Sequence, residues 1–256
     1  MIARQLQGGP KYFLDADIKG CFDNINHEYL LKKLNTSRMF KRQIEAWLKA
    51  GIMADSQEDS YDTNEAGTPQ GGVISPLLMN IALHGLENSI TEQFEKRNAV
   101  KVVRYADDFV VFLRNLEDAL KAKELVIRFL KPIGLELSEE KTRIGHSMEK
   151  LPGTEGSQGL NFLGYHFRNI KCSIHRGVKS TQGKKQKFKL ITHPSKDAVK
   201  RHKANLRFTL KKFKSAPLGK VTEKISSIIR GWTWYHSITQ CHTTFSKMDA
   251  WLWGRL

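Results

Sequence analysis

Val102-Val103-Arg104-Tyr105-Ala106-Asp107-Asp108-Phe109-Val110-Val111-Phe112 decides the fold. Val102, Val103 and Tyr105 on one side and Phe109, Val110, Val111 and Phe112 on the other are two apolar strands joined at Ala106, Asp107 and Asp108, which predicts a hairpin. Upstream, Tyr12-Phe13-Leu14-Asp15-Ala16-Asp17-Ile18 predicts a buried strand over 12–18, followed by helices over about 27–34 and 39–50, the second ended by Gly51. Residues 52–74, polar and then glycine-rich, read as a loop. Ser75-Pro76 predicts an N-cap with proline behind it, opening a helix that runs to about Lys96. Beyond the hairpin, Asn115 caps a predicted helix over about 116–131, closed by Pro132 and Gly134, and short strands around 135–144 and 160–167 follow. Strand, helices, hairpin, helix, strand is the β-α-β-β-α-β order of a ferredoxin-like sheet with helices on one face. The expected class is therefore α+β, with helices over about 195–214, 218–236 and 243–255 behind the sheet.

The chain has 256 residues, 42 Lys+Arg against 26 Asp+Glu, a net charge of +16 and 40% apolar residues, which excludes disorder and collagen-like repeats. No run of 18 apolar residues and no apolar leader with a small-residue cleavage site is visible, so no membrane partner is expected. Cys21, Cys172 and Cys241 are few, odd in number and far apart, which argues against a disulfide framework or a cysteine zinc site. The location expected is intracellular and reducing: the cytoplasm, prokaryotic or organellar.

The charge is concentrated. Residues 1–170 carry a net −1, 171–214 a net +14 and 215–256 a net +3. Between Lys171 and Lys214 the only acid is Asp197, while Lys184, Lys185, Lys187, Lys200, Arg201, Lys203, Arg207, Lys211 and Lys212 are among the bases. A solvated face or a disordered tail is the bland account of such a run. Phe188, Leu190, Ile191, Leu206, Phe208, Leu210 and Phe213 interleave with the bases, however, so the segment can fold and present them to RNA or DNA. The shift in composition near 170 marks the expected domain boundary: 1–170, then 171–256.

In a ferredoxin-like sheet the first strand neighbours the hairpin, so Asp17, Asp107 and Asp108 share one edge. Carboxylates at the ends of apolar strands are costly unless paired or bound to a cation, and such oxygens suit Mg²⁺. An ordinary Asp-Asp turn with an unrelated Asp17 accounts for the same spacing.

The surrounding residues add to this. Leu14-Asp15-Ala16-Asp17-Ile18-Lys19-Gly20-Cys21-Phe22-Asp23, Gly67-Thr68-Pro69-Gln70-Gly71-Gly72-Val73-Ile74-Ser75-Pro76 and Arg104-Tyr105-Ala106-Asp107-Asp108, in that order, resemble a reverse transcriptase palm. Leu137-Ser138-Glu139-Glu140-Lys141-Thr142, Asn161-Phe162-Leu163-Gly164-Tyr165 and Ile228-Ile229-Arg230-Gly231-Trp232-Thr233-Trp234-Tyr235 resemble the later blocks of group II intron-encoded reverse transcriptase/maturases. The resemblance implies a right-hand polymerase palm with partial fingers over 1–170, followed by an α-helical basic thumb and the start of a maturase-specific domain over 171–256. It implies catalysis and metal binding by Asp17, Asp107 and Asp108, with two Mg²⁺ ions as cofactor. Nucleotide-binding positions fall on Ile18 (through its backbone carbonyl), Phe22, Gln70, Gly71 and Lys141, Phe22 being where an aromatic ring excludes a 2′-OH. Primer-binding positions fall on Phe162, Leu163 and Gly164.

The function so implied is RNA-directed DNA polymerisation by a group II intron protein, moving a nucleotide from a dNTP to a primer 3′-OH on an RNA template, with a maturase role in splicing and mobility. Its partners are RNA template, DNA primer, dNTPs and host intron RNA. The rival is a non-catalytic RNA-binding splicing maturase or a degenerate copy. Only sixteen residues precede Asp17, where a full-length member has its fingers, and the expectation is a fragment or a split protein taking a separate fingers segment as a further partner.

Overall fold

The computed structural model describes residues 2–49, 66–68, 72–95, 100–151, 158–172 and 187–255. The chain divides into two compact units, Lys11–Gly145, and Met1–Pro10 together with His146–Leu256. It opens with a short helix, α1 (Ile2–Gln7), which belongs to the second unit.

Unit Lys11–Gly145 begins with β1 (Tyr12–Ala16) and β2 (Ile18–Lys19), then α2 (His27–Lys33), α3 (Arg38–Lys49), α4 (Ser75–Ala82) and α5 (Leu86–Thr91). The hairpin β3 (Lys101–Tyr105) and β4 (Asp108–Leu113) follows, then α6 (Leu116–Leu130), β5 (Glu136–Leu137) and β6 (Arg143–His146). Four strands form one sheet in the order β3-β4-β1-β6, with β4 antiparallel to both β3 and β1. Numbering these strands in sequence gives second, third, first, fourth, the ferredoxin-like order.

Alternation along the strands decides the packing. Leu14, Ala16, Phe109, Val111 and Leu113 enter one cluster with Ala119, Ala122, Val126 and Leu130, the inner stripe of α6. Phe13, Val110 and Phe112 alternate to the opposite face and are buried as well. Each such large side chain contributes about 1.5 to 3 kcal/mol relative to exposure. Asn115 holds the N-cap position of α6, and a 3₁₀ turn, Lys131–Ile133, ends at Gly134 as the sequence suggests.

Two predicted elements come apart. The long helix expected from Ser75 to Lys96 stops at Ala82, where Gly85, at φ +94°, turns the chain into α5. Lys33 fastens that break by donating to the carbonyls of Ala82 (2.9 Å) and His84 (2.6 Å). Ser75 is the first helical residue rather than the cap, which is Ile74. The strand expected over 135–144 splits into β5, which pairs with β2 (Ile18 opposite Leu137), and β6, which joins the main sheet.

The second unit holds β7 (Leu160–Phe162), β8 (Tyr165–Lys171) and β9 (Phe188–Pro194), an antiparallel sheet in the order β7-β8-β9, so residues 160–167 do not extend the first sheet. Behind it lie α7 (Lys196–Lys212), α8 (Leu218–His236) and α9 (His242–Trp253), within two residues of the predicted ranges. Leu206, Ile225 and Met248 are their common core, with Trp232 and Trp251 packed against it. The Asn169 side-chain amide donates to the carbonyl of Leu6 at 2.9 Å and ties α1 to this unit. Among the described residues no helix is long and apolar enough to cross a membrane.

Candidate functional site

The register of β1 on β4 ends with Ala16 opposite Phe109, which brings Asp17, the next residue, level with Asp108. Tyr105 pairs with Asp108, leaving Ala106 and Asp107 as a two-residue turn in which Ala106 is left-handed, at φ +58°. Arg104 steadies this turn: its guanidinium donates to Glu87 (2.7 Å), to the Asn80 side-chain oxygen (2.9 Å) and to the carbonyl of Ala106 (3.1 Å). Asp108 is hydrogen-bonded to Asp17, and Asp107 is close enough for its charge to act on Asp108. Burial, then the charge of Asp107, then a hydrogen bond to Asp17 and its charge raise the Asp108 carboxyl to about 6.

Asp17, Ile18, Cys21, Phe22, Asp107 and Lys141 line one cleft of about 660 Å³. The Lys141 ammonium lies 2.9 Å from Asp17 Oδ2, and that bond, with the charge behind it, raises the lysine. Arg143 takes the other nearby acid, Asp15, at 3.0 Å, and its guanidinium stands 5.5 Å from the centre of the Phe13 ring. Burial raises Asp15 while Arg143 opposes the rise, so Asp15 is already partnered without a metal. Cys21 is buried, and burial followed by the Asp107 charge pushes its thiol up to about 12, which leaves it neutral.

Phe22 both packs on the core cluster and lines the cleft. Its carbonyl accepts from the Thr68 backbone N–H (2.5 Å), and Gly67 N–H donates to Ile25 (2.8 Å). At Gly67, with φ +86°, a Cβ would meet the backbone of Asp23, so glycine is required where this segment crosses the Phe22 turn. Gln70 and Gly71 lie outside the described residues. Ile18 has its side chain in the core, with 2% exposed.

Among the described residues no group of three carboxylate, imidazole or thiol side chains is drawn together closely enough to hold an ion as it stands. In donor type the trio suits a hard divalent cation, since all three offer carboxylate oxygens, and the Lys141 ammonium already neutralises one of them.

The remaining candidates belong to the second unit. Phe162, Leu163 and Gly164 form the end of β7 and the tip of its hairpin with β8. On α7, Ala198, His202, Leu206 and Thr209 face inward, while Lys200, Arg201, Arg207, Lys211 and Lys212 are exposed. Lys203 and Arg207 each stand 5.2 Å from the Trp251 ring centre, with Arg255 at 4.3 Å. Among the described residues no base of α7 has an ion-pair partner. Lys187 is exposed, and Lys184 and Lys185 lie outside the described residues. Sequence alone assigns no role to Arg104 or Arg143, and Tyr235 stands in a quoted block without its partner, the Leu163 carbonyl. Arg104 stood inside a quoted motif, but its partners, Glu87 and Asn80, give no local signal.

The profile of the reverse transcriptase (RNA-dependent DNA polymerase) family matches residues 2–167, and that of the group II intron maturase-specific domain matches residues 199–256. The group II intron-encoded protein LtrA of Lactococcus lactis subsp. cremoris is 32% identical over 224 residues, spanning 63% of this chain and 35% of that protein. The putative COX1/OXI3 intron 1 protein of Saccharomyces cerevisiae is 26% identical over 244 residues, spanning 75% of this chain and 28% of that protein. The chain thus spans about a third of the length of these relatives. Among solved structures, telomerase from Candida tropicalis in complex with a fragment of telomeric RNA aligns with 94% of this chain and 40% of its own, at 17% identity and a TM-score of 0.50, a likeness of fold.

Proposed function

The chain belongs to the reverse transcriptase (RNA-dependent DNA polymerase) family, with a group II intron maturase-specific match behind it, and on that premise we propose that it carries out RNA-directed DNA synthesis. The primer 3′-OH attacks a dNTP on an RNA template, and the same chain binds its host intron RNA as a maturase. The observation that supports this reading is that Asp17 and Asp107 line one cleft with Phe22 and Lys141, while Asp108 is hydrogen-bonded to Asp17 and feels the charge of Asp107.

In this reading Asp17, Asp107 and Asp108 hold two Mg²⁺ ions, with the Ile18 carbonyl as a further oxygen. When bound, the ions supply charge stabilisation to the attacking and leaving oxygens of phosphoryl transfer. Phe22 excludes a ribose 2′-OH from the sugar position, and Gln70 and Gly71 meet the incoming nucleotide. Lys141 turns from Asp17 toward the triphosphate, neutralises it and gives a proton to departing pyrophosphate. Phe162, Leu163 and Gly164 hold the primer end. The exposed bases of α7, with Lys184, Lys185 and Lys187, contact RNA phosphates, which position RNA without reading its sequence. The division into a palm with partial fingers over 1–170 and a thumb with the start of a maturase domain over 171–256 is part of the same proposal, supported by the two matched ranges.

The test is extension of a DNA primer on an RNA template with dNTPs and Mg²⁺, wild type beside Asp107→Asn. Asp107→Asn is expected to abolish extension and to leave RNA affinity unchanged, because it removes a cation ligand and no phosphate contact. Equal extension by the two proteins would sink the assignment. The unpaired basic face of α7 favours a second reading, a non-catalytic RNA-binding maturase, and salt-sensitive RNA binding by a wild type that never extends a primer would select it.

A further inference from the structure

The tip of the β7–β8 hairpin is fastened by residues some seventy positions away. Phe162 pairs with Tyr165, so the turn consists of Leu163 and Gly164, both left-handed, at φ +48° and +78°. Two residues of positive φ are the turn that suits the twist of a hairpin, yet leucine in that region costs about 1 to 2 kcal/mol. Both carbonyls of the turn are engaged: Leu163 accepts from the Tyr235 hydroxyl and Gly164 from the backbone N–H of Ser195, each at 2.8 Å. The link is reciprocal, because the Tyr165 hydroxyl donates to the Tyr235 carbonyl. The two tyrosine rings lie 5.0 Å apart, and His236 meets them edge-on at 4.8 and 4.9 Å. Tyr235 and His236 close α8 and Ser195 caps α7, so both helices of the basic region end or begin on this turn.

These bonds add little to the packing of the unit. Leu163 is exposed, and the helices already share a core through Leu206, Ile225 and Met248. What the bonds fix is the place of an exposed turn, and position matters most to something that touches it. We propose that Tyr235 is a positioning residue for the primer end: its hydroxyl, acting through the Leu163 carbonyl, holds the hairpin tip in the one arrangement that receives a recessed 3′ terminus. The inference rests on the polymerase reading only in taking Phe162-Leu163-Gly164 as the primer-holding hairpin. It adds a single hydroxyl at the end of α8 that sets where the hairpin tip stands.

The experiment compares wild type, Tyr235→Phe and Tyr165→Phe as full chains. Tyr235→Phe is expected to keep its melting temperature, to raise KM for the primer–template about five- to tenfold, the loss of one hydrogen bond, and to leave KM for dNTP unchanged. It is also expected to speed amide exchange over 163–165. An unchanged primer–template KM beside an active wild type overturns the proposal, as does an equal rise in both KM values, which is what a merely structural role gives. Binding of a labelled recessed duplex against a blunt duplex keeps the test independent of synthesis. Loss of the preference for the recessed end in Tyr235→Phe supports the proposal even if wild type extends nothing, and an unchanged preference, or none in wild type, overturns it. Tyr165→Phe, which frees the Tyr235 carbonyl and leaves its hydroxyl on Leu163, is expected to keep the wild-type primer–template KM and end preference, and a loss equal to that of Tyr235→Phe overturns the proposal. Should Tyr235→Phe melt early, all three proteins are compared at a temperature where each is folded.

Discussion

Ala106 holds a backbone conformation that an L side chain enters at a cost of about 1 to 2 kcal/mol, and Arg104 is the side chain that keeps it there. One guanidinium spans α4 through Asn80, α5 through Glu87 and the turn through the Ala106 carbonyl, so it sets where the neighbouring Asp107 points. Its side chain is only 14% exposed, against 37% for Glu87, which places this pair between a surface ion pair and a buried one. A double-mutant cycle of Arg104→Met and Glu87→Gln, followed by urea unfolding, is expected to give a coupling of about 1 to 2 kcal/mol. A coupling indistinguishable from zero would mean that solvent screens the pair and that the turn is held by its strands alone.

At the scale of elements, α7 and α8 meet over a histidine stacked on a tryptophan: His202 lies 4.4 Å from Trp232 with the rings 8° from parallel. Burial, with His236 nearby, lowers His202 from 6.5 to about 4 in the fold, and burial lowers His236 as well. The folded state therefore favours neutral imidazole. Its stabilisation is complete above pH 6.5 and is lost as pH falls toward 4, where the unfolded chain binds protons that the folded chain refuses. Thermal unfolding followed by tryptophan fluorescence should show Tm falling by about 5 °C or more across that interval, and His202→Gln should flatten the slope. A slope identical in the variant would remove His202 from the account.

The elements also show what a sequence can carry. Helices α6 to α9 are legible because apolar stripes are local signals, sharpened at α6 by Asn115 ahead of it and Pro132 and Gly134 behind it, and at α7 by Ser195. Strand order brings Asp17 beside the hairpin, but an ordinary Asp-Asp turn fits the same spacing, and only the resemblance of the surrounding blocks singles the three carboxylates out. Strand β9 was hidden: Phe188 and Leu190 alternate with Lys187 and Lys189, a period of two inside a run whose charge suggested only a surface. The break at Gly85 was hidden by the apolar residues on both sides of it. The partners of Tyr235 and Arg143 could not be read, since one donates to a backbone carbonyl and the other pairs with an acid 128 positions away. Neither leaves a mark in its own neighbourhood.

Over the whole molecule the charge is uneven, with nearly neutral residues up to 170 and a net +14 between 171 and 214. An exposed α7 face whose bases have no ion-pair partner among the described residues is electrostatically unfinished, and a polyanion would complete it by releasing its own counterions. Replacing Lys200, Arg201, Arg207 and Lys211 with Ala is expected to weaken binding to unrelated RNAs by the same factor. It should also reduce the magnitude of the slope of log K against log salt by about 3. Loss confined to one RNA, or an unchanged slope, would show that these side chains do not meet phosphate.

The two family matches leave residues 168–198 between them, yet β7, β8 and β9 bridge that interval as one sheet, in the same compact unit as α1 and the last three helices. A border drawn on sequence likeness is thus not a seam in the molecule. A graft that starts at residue 199 carries the helices away from their sheet, and one that starts at 171 donates β9 with an open edge while β8 stays behind with the other. A piece able to travel between proteins has to begin ahead of β7, near His146, and either bring α1 or find a substitute for it. Recombination that respects folding would therefore cut the chain inside the stretch matched to the reverse transcriptase family, upstream of the point where the two likenesses part.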